Sequence, residues 1–175
     1  MIIESANPVH TLAESQRLRK ALRSMELVVA IDIAMTETAR EADYVLPAST
    51  QFEKWEATFF NFEFPENYFH LRKPLFEPLG ESLSEAEIHA RLVEAAGVMP
   101  TELVDELRGL LKEEGRGAFR ERFMQAMAED VMVSKLAPVI LYRTLGEVLP
   151  EGAKEGAVMW PLTLGFAMRD SASLA

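Results

Sequence analysis

Three short apolar runs, each stopped by a residue suited to a strand end, constrain this chain more than any other feature. Met1 to Ser5 is brief and ends at Asn7-Pro8. Leu27-Val28-Val29-Ala30-Ile31 is closed by Asp32, and Tyr44-Val45-Leu46 follows Asp43 and is stopped by Pro47. The middle run is apolar without alternation, the pattern of a strand buried on both faces. Between the first two runs, Thr11 and Glu14 have the T-x-x-E spacing of a capping box. Behind them Leu12, Leu18, Ala21, Leu22 and Met25 form an apolar stripe through basic Arg17, Arg19, Lys20 and Arg23, which predicts a helix. Residues 36–42 have room for one or two helical turns. Strand, helix, strand, short helix, strand is the order of an α/β unit with a parallel sheet.

Residues 52–76 break that rhythm. They hold Phe52, Trp55, Phe59, Phe60, Phe62, Phe64, Tyr68, Phe69 and Phe76, and Pro65, Pro74 and Pro78 interrupt any regular element. The reading is an irregular, aromatic-rich loop that packs on the flank of the sheet or against another domain, because so much aromatic surface demands a partner. From Ser84 onward the pattern is helical. Ser84 and Glu87 form an S-x-x-E cap before Ile88, Leu92 and Val93, closed by Gly97; Thr101–Leu111 repeats the pattern up to Gly115-Arg116-Gly117. Phe119–Met132 and Val139–Val148 supply two further candidates. The expected layout is an α/β segment over residues 1–97 and a mainly helical extension over 98–175.

Composition narrows the function classes. The net charge is −10, with 18 Lys+Arg against 28 Asp+Glu, and no basic footprint offers to neutralise a phosphate backbone, so nucleic acid is not an expected partner. No cysteine is present, which excludes disulfides, thiolate zinc sites, an iron–sulfur cluster and a cysteine nucleophile on this chain. His10, His70 and His89 lie too far apart for a helical ligand pair, and no metal site is expected. No apolar run approaches the ~20 residues of a membrane span, and no secretory leader is visible at the first residues. The expectation is a cytoplasmic chain without membrane insertion.

Open parallel sheets bind ligands outside the carboxyl ends of their strands. Here those ends carry Asn7, an amide that both donates and accepts, and Asp32, a carboxylate able to take two N–H bonds from a guanine edge. A helix starting near Thr11 would favour an anionic phosphate. No glycine-rich dinucleotide fingerprint or P-loop occurs. Acid–base hydrolysis has candidates in Glu53, Glu56, His70 and His89, but nothing arranges a nucleophile, and no catalytic residue is assigned.

The runs ANPVHT and LVVAIDIAMTETAREADYVLPASTQFEKWEAT resemble the bis-molybdopterin guanine dinucleotide oxidoreductases, the DMSO reductase family that includes formate dehydrogenases and nitrate reductases. The family pattern is a strand ending in Asn-Pro, a second ending in Asp, then T-E-T-x-x-x-A-D-x-x-L-P and a Glu-Lys pair. Asn7-Pro8, Asp32, Thr36-Glu37-Thr38, Ala42-Asp43, Leu46-Pro47 and Glu53-Lys54 stand in that order. The resemblance covers residues 1 to about 97 and implies one of the family's Rossmann-like cofactor-binding domains. It implies that Asn7 contacts the cofactor, that Asp32 recognises guanine with a backbone contact from Ile31, that Lys54 reaches the cofactor, and that Glu87 supplies a further acid. For Thr36, Glu37, Thr38 and Asp43, capping, helix-end charge and turn formation suffice.

The chain departs from the pattern after Lys54, where WEATFFNFEFPENYFHLRKP replaces the usual glycine and arginine run. The family's molybdenum ligand lies on an earlier segment. The resemblance therefore implies a piece of a longer enzyme, inactive alone. It would hold the guanine dinucleotide end of bis-molybdopterin guanine dinucleotide, with Mo or W, and have the remaining domains of the oxidoreductase as partners. An exposed aromatic surface would promote self-association. The competing reading is a non-enzymatic scaffold that keeps the α/β fold without cofactor, and the two differ at Asn7, Asp32 and Lys54.

Overall fold

A computed structural model describes residues 1–58, 70–150 and 153–160. The chain divides into two compact units: Met1–Lys54 with Pro74–Ile88, and Trp55–Lys73 with the residues from His89 onward.

The first unit is built on a three-stranded parallel sheet in the order β1-β2-β3, with β1 at Ile2–Glu4, β2 at Val29–Asp32 and β3 at Tyr44–Pro47. The expected α/β class with a small parallel sheet is what forms. β2 is central because its side chains are apolar on both faces, so either face can be covered. On one side Val28 packs with Val9 and Leu22, and Ile3, Leu18 and Ala42 surround them. On the other, Ile31 packs with Ala48 and Ile88, beside Leu46 and Leu83. Asp43 ties together the residues just before β2 and β3, its Oδ2 accepting from Val28 N at 2.7 Å.

The first crossover differs from the expected single helix. A short turn of helix, α1 (Pro8–Thr11), precedes α2 (Ser15–Arg23). Thr11 and Glu14 form no capping box. The Thr11 hydroxyl donates to Asn7 O at 3.1 Å, and Glu14 adopts a left-handed backbone (φ +58) that separates the two helices. Leu18 and Leu22 of α2 face the sheet. Arg19 and Arg23 reach the other way onto Glu41, whose side chain is only 4% exposed; the Arg23 Nε–Oε2 distance is 2.5 Å. A single 3-10 turn, Ala39–Glu41, makes the second crossover.

The second unit opens with an antiparallel pair, β4 (Glu56–Thr58) and β5 (His70–Arg72), in register Glu56 to Arg72 and Thr58 to His70. This corrects the irregular reading of residues 52–76: the prolines counted as breakers lie between or beyond the paired strands. Phe59, Phe60, Phe62, Phe64, Tyr68 and Phe69 fall outside the described residues. Phe52 and Phe76, both in the first unit, are exposed.

Helix α3 (Glu85–Ala95) gives Ile88 to the first unit from its first turn, and Ser84 caps it as expected, its hydroxyl accepting from Glu87 N at 3.4 Å. Helices α4 (Thr101–Glu113), α5 (Arg116–Glu129) and α6 (Val131–Arg143) then enclose a core of Val104, Leu107, Phe119, Phe123, Ile140 and Leu141. Phe119 and Phe123, one turn apart, stack at 5.8 Å, and Trp160 leans on both. A helical C-terminal part is thus present, and its individual helices differ in bounds from those expected. Asp130 ends α5 and caps α6, accepting from Met132 N at 2.7 Å, so the expected Phe119–Met132 helix is two helices. α6 runs through Pro138, starting at Val131 rather than at the expected Val139. The Val133, Ile140 and Leu141 stripe buries enough apolar surface to outweigh the hydrogen bond that proline removes. Gly115 (φ +86) supplies the left-handed turn between α4 and α5. Gly146 lets a 3-10 turn at Leu145–Val148 approach Lys154, whose carbonyl would sit 3.1 Å from an added Cβ. No helix among the described residues is long and apolar enough to cross a membrane.

Candidate functional site

The parallel register places the carboxyl ends of β1 and β2 side by side: Ile3 pairs with Ala30 and Glu4 with Ile31. Ser5 N extends the pairing to Ile31 O at 3.1 Å. Ser5 then takes a left-handed backbone (φ +50), which turns the chain toward Asn7. Asp32 is the last residue of β2. Asn7 and Asp32 thus lie on neighbouring strand ends, as a chain with this topology requires.

The segment Thr36-Glu37-Thr38 joins them. The Thr36 hydroxyl donates to Asp32 Oδ2 at 3.0 Å and accepts from Ala39 N at 3.2 Å, which is the expected capping role. Asp32 Oδ1 accepts from Ile33 N at 2.8 Å. Glu37 Oε2 accepts from Asn7 Nδ2 at 2.7 Å. That hydrogen bond, followed by one from its own backbone N–H, holds the Glu37 carboxyl below the usual carboxylate range. The buried Thr38 gives both its N–H (3.2 Å) and its hydroxyl (2.8 Å) to Asn7 Oδ1, and the same hydroxyl accepts from Val9 N at 3.1 Å. Three consecutive residues therefore tie the ends of two strands together.

The Ile31 side chain is fully buried beneath this point, and its backbone lies in register with Glu4 on one side and Leu46 on the other. The Glu-Lys pair forms a separate group in the same unit. Glu53 Oε2 accepts from Thr50 N and Oγ1, both at 2.8 Å, and Oε1 from Leu79 N at 3.0 Å. These bonds, the Thr50 N–H first, lower its pKa from the ordinary value. Lys54 Nζ meets the carboxylate of Glu85 at 2.5 Å, with the two side chains 16% and 22% exposed. Sequence reasoning named Glu87 and missed Glu85. The S-x-x-E spacing marks the cap, and nothing in a linear pattern marks an ion pair across 31 positions.

The polarity left over decides what this unit can hold. Among the described residues each oxygen of Asp32 accepts one hydrogen bond, which leaves the carboxylate one acceptor position on each oxygen for adjacent N–H donors. Among the described residues no acceptor takes the second Nδ2 hydrogen of Asn7 or the third hydrogen of the Lys54 ammonium. The α1 turn starts at a proline without an N–H and is four residues long, and the next helix starts at Ser15 rather than at the expected Thr11. By contrast, the apolar cavity of the second unit, about 260 Å³, is lined by Leu71, Phe119, Leu145, Leu149 and Trp160, with Arg116 the only ionisable side chain among its described lining residues. No group of three or more His, Asp or Glu among the described residues is placed to bind a metal ion.

The first unit is thus a small parallel α/β unit with an amide and a carboxylate on adjacent strand ends. The comparisons define it further. A family model described as molybdopterin oxidoreductase matches residues 2–95, and the chain belongs to that family, as the resemblance implied. "Probable oxidoreductase YyaE" of Bacillus subtilis (strain 168) is 31% identical over 137 residues, 78% of this chain and 19% of that protein. The "F420-dependent formate dehydrogenase subunit alpha" of Methanocaldococcus jannaschii is 36% identical over 97 residues, 55% of this chain and 14% of that protein. A "Trimethylamine-N-oxide reductase" of Vibrio parahaemolyticus is 32% identical over 97 residues, covering 55% and 12%. The chain thus spans less than a fifth of the length of these relatives. Family membership implies a molybdopterin cofactor; with no cysteine in the chain, no thiolate-held iron–sulfur cluster resides on it.

Proposed function

We propose that this chain is a cofactor-holding segment of a molybdenum or tungsten oxidoreductase and that its strand ends grip the guanine dinucleotide end of molybdopterin guanine dinucleotide. The observation that carries the reading is the pair of unused acceptor positions on Asp32, at the end of the central strand, beside the immobilised Asn7. Asp32 would accept two N–H bonds from the guanine edge. Asn7 would donate its remaining Nδ2 hydrogen, and the Ile31 carbonyl, already accepting from Ser5, would share its second lone pair. Lys54 would offer one hydrogen to an anionic oxygen while Glu85 keeps its ammonium in place, and Glu87 would line the same region. Bound in the intact enzyme, the cofactor would supply two-electron redox chemistry at its metal. The residues of this chain bind and orient it, and the metal ligand, the substrate-binding residues and the second cofactor-binding fold belong to other parts of the protein.

One observation favours the scaffold alternative. Asn7, Lys54 and Glu53 all have work within the fold, as clip, ion pair and cap, which a chain without cofactor would also need. Asp32 separates the two readings, because among the described residues nothing donates to the second lone pair of either of its oxygens. Calorimetric titration with GDP and ADP tests this. Saturable, guanine-selective binding that Asp32→Ala abolishes supports the cofactor reading; equal or absent binding of both nucleotides favours the scaffold.

A further inference from the structure

The side-chain amide of Asn7 comes to the strand ends already oriented. Its Oδ1 accepts from Thr38 N at 3.2 Å and Thr38 Oγ1 at 2.8 Å, which fills both lone pairs. Its Nδ2 donates to Glu37 Oε2 at 2.7 Å, and among the described residues no acceptor takes the other Nδ2 hydrogen. Rotating the amide by half a turn would set Oδ1 against a carboxylate and Nδ2 against the Thr38 N–H, so the hydrogen-bond pattern admits one orientation. Glu37 is the part of this clamp that can be changed without opening the core: its side chain is 48% exposed, with His10 Nδ1 3.9 Å away and Arg40 as the other nearby charge.

We propose that Glu37 is a positioning residue for the nucleotide end. Together with Thr38 it fixes Asn7 as a donor only, so the ligand group beside Asn7 is a hydrogen-bond acceptor, an oxygen of a phosphate or of a carbonyl, and never an amino or hydroxyl hydrogen. The inference rests on the reading that these strand ends hold a nucleotide, and it adds the polarity of the contact and the residue that enforces it.

The test titrates the 175-residue chain with GDP and with guanosine, comparing wild type, Asp32→Ala, Glu37→Ala and Glu37→Gln, and follows the Asn7 side-chain amide by NMR. Glu37→Ala should weaken GDP by about tenfold, the worth of one oriented hydrogen bond, whereas Glu37→Gln, whose Oε1 still accepts from Nδ2, should stay within about twofold. The Asn7 amide should be restrained in wild type and the Gln variant and mobile in the Ala variant. Loss of GDP affinity without loss for guanosine would assign the acceptor to a phosphate; loss for both would assign it to the base or sugar. GDP binding by Glu37→Ala at wild-type strength, with Asp32→Ala abolishing it, would overturn the proposal and leave the cofactor reading standing. No binding by wild type at millimolar GDP would overturn both, and a mobile amide in Glu37→Ala would then report a clamp that serves the fold alone.

Discussion

Asn7 and Thr38 lie 31 positions apart, yet one side-chain oxygen of Asn7 receives both the N–H and the hydroxyl of Thr38. Thr38 is 1% exposed, and its hydroxyl also accepts from Val9 N. The polar link between the end of β1 and the segment after β2 is therefore made inside the unit, where an unmet partner is costly. Thr38→Val keeps the shape but deprives Asn7 Oδ1 and Val9 N–H of a partner. It should destabilise the chain by about 1–3 kcal/mol in urea titration, with Thr38→Ser retaining the hydroxyl link. A Val variant as stable as wild type would show that the clip contributes nothing.

Acid should weaken the fold through three carboxylates held below their ordinary range. Hydrogen bonding from Asn7 lowers Glu37, hydrogen bonding from Arg23 and then Arg19 lowers Glu41 against the effect of its burial, and the Thr50 N–H lowers Glu53. A carboxyl whose folded pKa lies below its unfolded value stabilises the fold above the unfolded value, about 4.3 for Glu, and loses that contribution as the pH falls through the folded value. The urea midpoint should therefore be level toward neutrality and drop below about pH 4.3. Substituting all three by Gln should lower the neutral midpoint and flatten the acid limb. An unchanged acid limb in that variant would place the acid sensitivity elsewhere.

The stacked pair Phe119 and Phe123 anchors the second unit, both rings fully buried. Phe119→Ala should cost about 3–5 kcal/mol by transfer and cavity effects together. Met124→Ala, at an exposed site on the same helix, should stay within about 0.5 kcal/mol. Thermal or urea unfolding compares them directly, and a small effect at Phe119 would contradict the core described for this unit.

Asp130 separates α5 from α6 by capping Met132 N. Asp130→Ala should lower stability by about 1 kcal/mol, with Asp130→Ser recovering most of it. If the Ala variant matches wild type, α6 is held by packing alone.

Legibility from sequence followed the range of the interaction. β2 could be read because both its faces are buried, which leaves an unbroken apolar run from Leu27 to Ile31, and Asp32 could be read because it ends that run. Ser84 was legible as a cap because its partner is three residues away. The start of α2 was not, since Glu14 adopts a left-handed backbone and Thr11 turns to Asn7 O. The start of α6 was not legible either: the helix runs from Val131 through Pro138, because tertiary burial of Val133 and Ile140 outweighs a local penalty. The Lys54–Glu85 ion pair and the Asn7–Glu37–Thr38 clamp join residues about thirty positions apart, and no linear pattern records them. The family motif marked both segments of the clamp but not their bonding.

The most direct test of the central claim maps GDP onto the chain by amide NMR, with Asp32→Ala beside wild type. The account predicts shifts concentrated at Ile33, Thr36 and Asn7, saturating with GDP, weaker with ADP and absent in the variant. Shifts confined to the second unit, or unchanged by Asp32→Ala, would contradict it.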